Sequence, residues 1–138
     1  MVYRFRNYEM DRPTLGPFGP APSEMELTFK GRTVTYGTRK WDAEYRILEA
    51  RQFGDCVCLI FDYMAVSRNL RGYTVEGRLL WTAEHPTSES ADCYTGFPDK
   101  DFLPRSPDKN CFAAYNYTGY LCWIDLESGK LLKSIFTK

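Results

Sequence analysis

The alternation of apolar and polar positions predicts strands along most of the chain. From Val2 to Tyr8, Arg residues separate Tyr3, Phe5 and Tyr8, as in a strand with one wetted face. Met25 to Phe29 and Thr33 to Tyr36 form a predicted hairpin around Lys30-Gly-Arg32. Trp41 to Arg51 reads as one strand, with a short helix as the alternative because Tyr45, Ile47 and Leu48 are irregularly spaced. Cys56 to Tyr63 is the most apolar stretch and predicts a central strand covered on both faces. Leu70 to Val75 and Arg78 to Glu84 are joined through Glu76-Gly77. Three more strands, Asn110 to Asn116, Tyr120 to Leu126 and Lys130 to Thr137, close the chain, the last two joined by Glu127-Ser-Gly129. No long window keeps a capped amphipathic 3.6 period, so helix is not expected.

Two segments interrupt the strands. Asp11 to Pro22 holds four Pro and two Gly and reads as a long loop or extended arm. His85 to Lys109, with Pro86, Pro98, Pro104 and Pro107, reads as a second long loop. The expected organisation is one all-β, antiparallel domain over 1–138. It has an N-terminal strand and Pro-rich arm at 1–24 and repeat-like units at about 55–84 and 110–137.

The two units align. One runs from Asp55-Cys-Val-Cys-Leu-Ile-Phe61 through Leu70 to Trp81, the other from Asn110-Cys-Phe-Ala-Ala-Tyr115 through Tyr120 to Leu132. Gly77 matches Gly129, Arg78 matches Lys130, and Leu79-Leu80 matches Leu131-Leu132. Each Gly supplies a positive φ at a tight turn. Asp125 is placed to accept from amides two or three residues ahead and hold the second turn.

Trp123-Ile-Asp-Leu-Glu-Ser-Gly-Lys-Leu-Leu132 resembles the aspartate–glycine turn in β-propeller blades of the quinoprotein-like repeat type. Thr74-Val-Glu-Gly-Arg-Leu-Leu-Trp81 resembles the same turn in shortened form, with the Trp that often follows it there; Lys133 replaces that Trp in the second copy. The resemblance covers about half the chain and implies blade-like sheets. Blades of about 40 residues or more leave room for two or three, short of a closed ring. The expected architecture is a partial propeller or a β-sandwich. Quinone binding, which needs a closed ring, is not expected.

Charge changes this picture little. Lys plus Arg and Asp plus Glu number 18 each, which gives no reason to expect nucleic acid or an anionic membrane as partner. Arg4, Arg6 and Arg12 interleave with aromatics but are followed by Glu9 and Asp11, and read as edge-strand charge. The N-terminus lacks the apolar core of a signal peptide, and no apolar run approaches membrane-span length. Cys56, Cys58, Cys93, Cys111 and Cys122 lack metal or redox spacing and read as free thiols of a reducing cytosol, Cys56 and Cys58 on one strand face.

Catalytic signatures are missing from the sequence. There is no G-x-S-x-G, H-E-x-x-H, P-loop or dinucleotide fingerprint. His85, beside Glu84, reads as a solvent-exposed loop residue, and Asp99 and Asp101 as solvated charge. No enzyme activity, metal or cofactor is expected. From Glu84 to Asp108 six acids face two bases, with aromatics among them. Aromatic anchors ringed by carboxylates suit a basic protein surface. Glu84, Glu89, Asp92, Tyr94, Phe97, Asp99, Asp101 and Phe102 are therefore the partner-binding candidates.

The general character, a small β-domain without catalytic groups, is similar to that of immunity proteins of contact-dependent inhibition and other polymorphic toxin systems. That resemblance implies a cytoplasmic inhibitor covering the active site of a cognate toxin, a nuclease being the natural basic target. The alternative is a scaffold domain that forms a homo-oligomer through its sheet edges.

Overall fold

The computed structural model describes the backbone of Val2 and Tyr3, and residues 26–88, 92–99 and 110–137. Among the described residues, twelve strands fall in chain order into three antiparallel four-stranded sheets, none closed on itself. The first holds β1 (Val2–Tyr3), β2 (Leu27–Lys30), β3 (Thr33–Tyr36) and β4 (Arg39–Asp42). The second holds β5 (Ile47–Phe53), β6 (Cys56–Phe61), β7 (Leu70–Thr74) and β8 (Leu79–Thr82). The third holds β9 (Tyr94–Gly96), β10 (Cys111–Asn116), β11 (Tyr120–Asp125) and β12 (Leu131–Phe136). Each sheet is a meander, every strand pairing with its chain neighbour. Arg4, Arg6, Tyr8 and the Pro-rich segment 11–22 lie outside the described residues.

The second sheet is the middle layer, and β6 shows why. All six of its residues are buried. Val57, Leu59 and Phe61 face the first sheet, packing with Leu27, Val34, Ala43 and Ile47. Cys56, Cys58 and Ile60 face the third, packing with Phe112, Ala114, Cys122 and Ile124. Two-residue alternation thus divides one strand between two cores, as expected of a doubly covered strand.

The sheets dock through a device used twice. Trp41, third residue of β4, lays its ring on the turn between β7 and β8; a Cβ at Gly77 would sit 2.6 Å from it. Its indole N–H donates to the Val75 carbonyl at 3.0 Å. Trp81, third residue of β8, lies in the same way on the turn between β11 and β12; a Cβ at Gly129 would sit 2.8 Å away. Its N–H donates to the Leu126 carbonyl at 2.7 Å. Gly72 opens the remaining space beside Trp81, where a Cβ would fall 2.4 Å from the ring.

The aligned turns thus occupy equivalent places. Ser128 donates from its backbone N–H (2.9 Å) and its hydroxyl (2.7 Å) to the Asp125 carboxylate, as expected of the turn before Gly129. A third copy escaped the alignment. Gly37 precedes Trp41 at the spacing by which Gly77 precedes Trp81 and Gly129 precedes Lys133, and all three glycines have positive φ.

Two expectations are corrected. Trp41 to Arg51 is not one strand: β4 ends at Asp42 and β5 starts at Ile47, in different sheets. The break carries no Gly or Pro; it is set by the buried Ala43 and the Arg32 guanidinium, which donates to the Ala43 carbonyl at 2.8 Å. The segment from His85 to Lys109 is not wholly loop. It contains β9, three residues long, held by pairing with β10.

Candidate functional site

In a meander, alternate connections lie at opposite ends of the sheet, and hydrogen bonds join the connections of all three sheets at one end. Asp62 N–H donates to the Arg46 carbonyl, linking the β6–β7 connection to the β4–β5 connection. Asn69 donates from its side-chain amide to the carbonyls of Phe61 (2.9 Å) and Tyr94 (2.8 Å), and accepts from Tyr94 N–H at 2.8 Å. Tyr117 N–H donates to the Cys93 carbonyl, bringing in the β10–β11 turn. Sequence separations of 8 and 25 residues are closed by Asn69 alone. This residue, wholly buried, is a polar group that sequence reasoning missed.

Beside it lies a buried polar network. The Asp92 carboxylate accepts from the Thr87 hydroxyl (2.8 Å) and from the Asn116 side-chain amide (2.8 and 2.9 Å). The Asn116 amide also meets the Thr118 hydroxyl at 2.8 Å, and its carbonyl accepts from Tyr120 N–H. His85 lies tilted against Tyr94 at 4.9 Å between ring centroids, and its Nδ1 lies 3.9 Å from Asp92 Oδ2. Only 4% of the His85 side chain is exposed, and among the described residues neither ring nitrogen has a hydrogen-bond partner. Burial pushes its pKa below the usual value, against the pull of the Asp92 carboxylate and with a smaller push from Arg68. The histidine expected in solvent is therefore an interior group. Neighbouring Glu84, Pro86 and Thr87 gave no hydrophobic pattern to announce it.

This arrangement redistributes the partner-binding candidates. Asp92, Tyr94 and Phe97 are buried, so a partner cannot reach them in this fold. Tyr94 donates its hydroxyl to the Glu84 carbonyl and lies in the core between the second and third sheets, where burial drives its pKa far up. Phe97 packs on Phe53 and Phe112, under the Arg51 guanidinium 5.1 Å from its ring. The reason is β9: pairing with β10 draws the aromatics of this segment inward. Glu84 stays exposed, yet its carboxylate accepts from Leu131 N–H at 2.7 Å, tying the second sheet to the third. Asp99 is exposed. Glu89, Asp101 and Phe102 lie outside the described residues.

Among the described residues, the connections at this end leave three large side chains in solvent, Tyr63 (54% exposed) and Met64 (83%) between β6 and β7 and Tyr117 (65%) between β10 and β11, with Phe136 exposed at the adjoining end of β12. Asp62 and Arg46 pair at 3.6 Å beside them. At the neighbouring junction Tyr73 donates to Glu44 at 2.6 Å, and Arg71 lies 3.5 Å from the same carboxylate. Among the described residues no group of three or more His, Cys, Asp or Glu is placed to hold a metal ion. None of the five cysteines forms a disulfide; the Cys56 and Cys58 thiols share a strand face 3.8 Å apart.

These features define an all-β protein of three stacked antiparallel sheets with a connection end rich in exposed aromatic and sulfur side chains. The chain belongs to the family described as "Domain of unknown function (DUF7957)", whose model matches residues 24–136. No curated protein matches it. Among solved structures, the crystal structure of the computationally designed Ika8 protein is similar at 14% identity and a TM-score of 0.49, covering 81% of this chain. The chain spans only 36% of that protein's length. No described helix is long and apolar enough to cross a membrane.

Proposed function

We propose that this chain is a non-enzymatic, protein-binding domain of the immunity type, a cytoplasmic inhibitor that covers the active site of a cognate toxin. The observation that carries the reading is the exposure of Tyr63, Met64 and Tyr117 together at one end of adjacent sheets. Aromatic and thioether side chains are the usual anchors of protein interfaces, and here a rigid sheet stack presents them on short connections. The acidic excess between Glu84 and Asp108 favours a basic partner surface, as on a nuclease. The interface differs from the one expected from composition, because Tyr94 and Phe97 belong to the core. Five cysteines without a disulfide favour a reducing compartment. The three sheets are read as blades of an open, propeller-like stack, which the repeated Trp-on-Gly docking supports.

Co-purification with the product of the adjacent upstream reading frame, and protection of cells expressing that product, tests the reading. Replacing Tyr63, Met64 and Tyr117 by Ala weakens the complex at least about 100-fold if each contributes about 1–2 kcal/mol. Unchanged affinity in that variant removes this end as the interface.

A second reading, a scaffold domain that self-associates through sheet edges, is favoured by β8 and β12. Each is paired on one side only among the described residues, and Leu79, Leu80, Leu132 and Phe136 are exposed on them.

A further inference from the structure

We propose that the outer edge of the third sheet is a homodimer interface, in which β12 pairs antiparallel with β12 of a second copy across a two-fold axis at Ser134. The inference rests on the self-association reading and specifies its edge, register and dyad.

The backbone decides which groups are available. β11 and β12 pair Tyr120 with Phe136, Leu121 with Ile135, Cys122 with Ser134 and Trp123 with Lys133. Thr137 N–H donates to the Gly119 carbonyl at 2.8 Å, which fixes the phase of the ladder. Lys133, Ile135 and Thr137 therefore turn their backbone N–H and C=O groups towards β11. Ser134 and Phe136 turn theirs outward, and Leu132, which the register shift at Trp123/Ile124 leaves without a partner on β11, is likewise paired with no described strand. The side chains of these same three residues are exposed. Such an edge is a template for another strand.

Symmetry then selects the register. A two-fold axis that makes two edges antiparallel must stand perpendicular to the sheet, so each face stays on its own side and outward residues meet outward residues. Centring the axis on Lys133 sets two ammonium groups directly opposite, which is repulsive. Centring it on Leu132 drives the pairing into the irregularity at Trp123/Ile124 and onto Leu131, whose N–H is held by Glu84. Centring it on Ser134 uses all three outward residues of both copies. Leu132 then lies opposite the second copy's Phe136, twice over, and Lys133 lies opposite Ile135. Apolar pairs coincide and like charges stay apart.

The other outer edges fit less well. β4 carries Arg39, Lys40 and Asp42, the charges that block edge pairing. β8 has four residues against six in β12; both carry a register shift at the equivalent place, so length separates the two edges. At the equivalent position of the three strands, Trp41 and Trp81 turn into the following sheet, whereas Lys133 is exposed.

Sedimentation velocity of the full chain over a range of concentrations tests the proposal. The wild type is expected to dimerise. Ser134→Lys puts two ammonium groups on the dyad and raises the dissociation constant at least about 10-fold, with an unchanged circular-dichroism spectrum because the site is exposed. Phe136→Lys is expected to act the same way, while Leu80→Lys on β8 leaves the dimer intact. As a positive readout, Ser134→Cys is expected to link two copies on oxidation, since opposed Cα atoms about 5.5 Å apart suit a disulfide. A dimer that survives both β12 variants but is lost in Leu80→Lys overturns this interface and leaves edge association standing. A wild type that stays monomeric at every concentration overturns both.

Discussion

The junction between the first and second sheets and the junction between the second and third begin alike and end differently. Each is closed by a Trp on a Gly turn, with the indole N–H on a backbone carbonyl. At the first junction the space behind the Trp is filled by Val57, Leu59, Phe61 and Tyr73, with Trp41 tilted against Tyr73 at 5.2 Å between ring centroids. At the second, Tyr94, Phe97, Phe112, Ile60 and Ile124 pack with the smaller Cys56, Cys58, Ala114 and Cys122, and polar residues complete the junction at one end. Asn69, Asp92 and Asn116 are buried there, with His85 against Tyr94. One docking device therefore serves two fillings. The apolar filling depends on volume, and the polar filling depends on every hydrogen bond being made.

The largest effect expected from breaking this comparison comes at the Trp positions. Trp81→Ala costs about 3–5 kcal/mol, as for a buried aromatic, and Trp41→Ala costs less because Trp41 is only half-buried. Urea denaturation of the two variants gives the difference, and equal losses count against the burial argument. Gly129→Ala is next: its Cβ meets the Trp81 ring while φ is +74°, so overpacking of about 1–3 kcal/mol adds to backbone strain. The same measurement on Gly31→Ala, where nothing lies within 4 Å, isolates the strain alone.

Asn69→Ala sharpens the contrast from the polar side. It leaves the Tyr94 N–H and the carbonyls of Phe61 and Tyr94 short of partners, at about 1–3 kcal/mol for a buried group left unpaired. Faster amide exchange in β9 than in β3 is the expected accompanying sign.

The smallest effect is in pH. The folded pKa of His85 lies below its unfolded value of about 6.5. The unfolded chain thus takes up a proton that the folded chain resists. Stability falls as pH drops through the ordinary histidine range towards the lowered folded value, and levels off below it. Unfolding free energies at neutral and mildly acidic pH measure the loss, and His85→Phe is expected to remove its histidine component.

Much of the fold was legible because it rests on local rules. The alternation through Cys56 to Phe61, the Gly77 and Gly129 turns and the Asp125 cap all act within a few residues, so the sequence carries them openly. The third Gly–Trp unit was also present, as Gly37 and Trp41, but Trp41 was read into the wrong strand. The candidate site was much less legible. The aromatic and acidic residues after Glu84 looked like surface because Pro and charge surround them. β9 exists only through its pairing with β10, and a three-residue strand leaves no period to read.

By itself, then, the sequence determined the class, most of the strands and the glycine turns, since alternation and positive-φ glycine operate on neighbouring residues. Tertiary structure alone decided which aromatics became core and which stayed in solvent. Tyr94 and Phe97 are buried because β9 adds to the third sheet, while Tyr63, Met64 and Tyr117 are exposed because their connections reach past the sheet ends. Burial depends on what lies across the gap, and partners as far apart as Asn69 and Tyr94 meet only after the sheets have stacked.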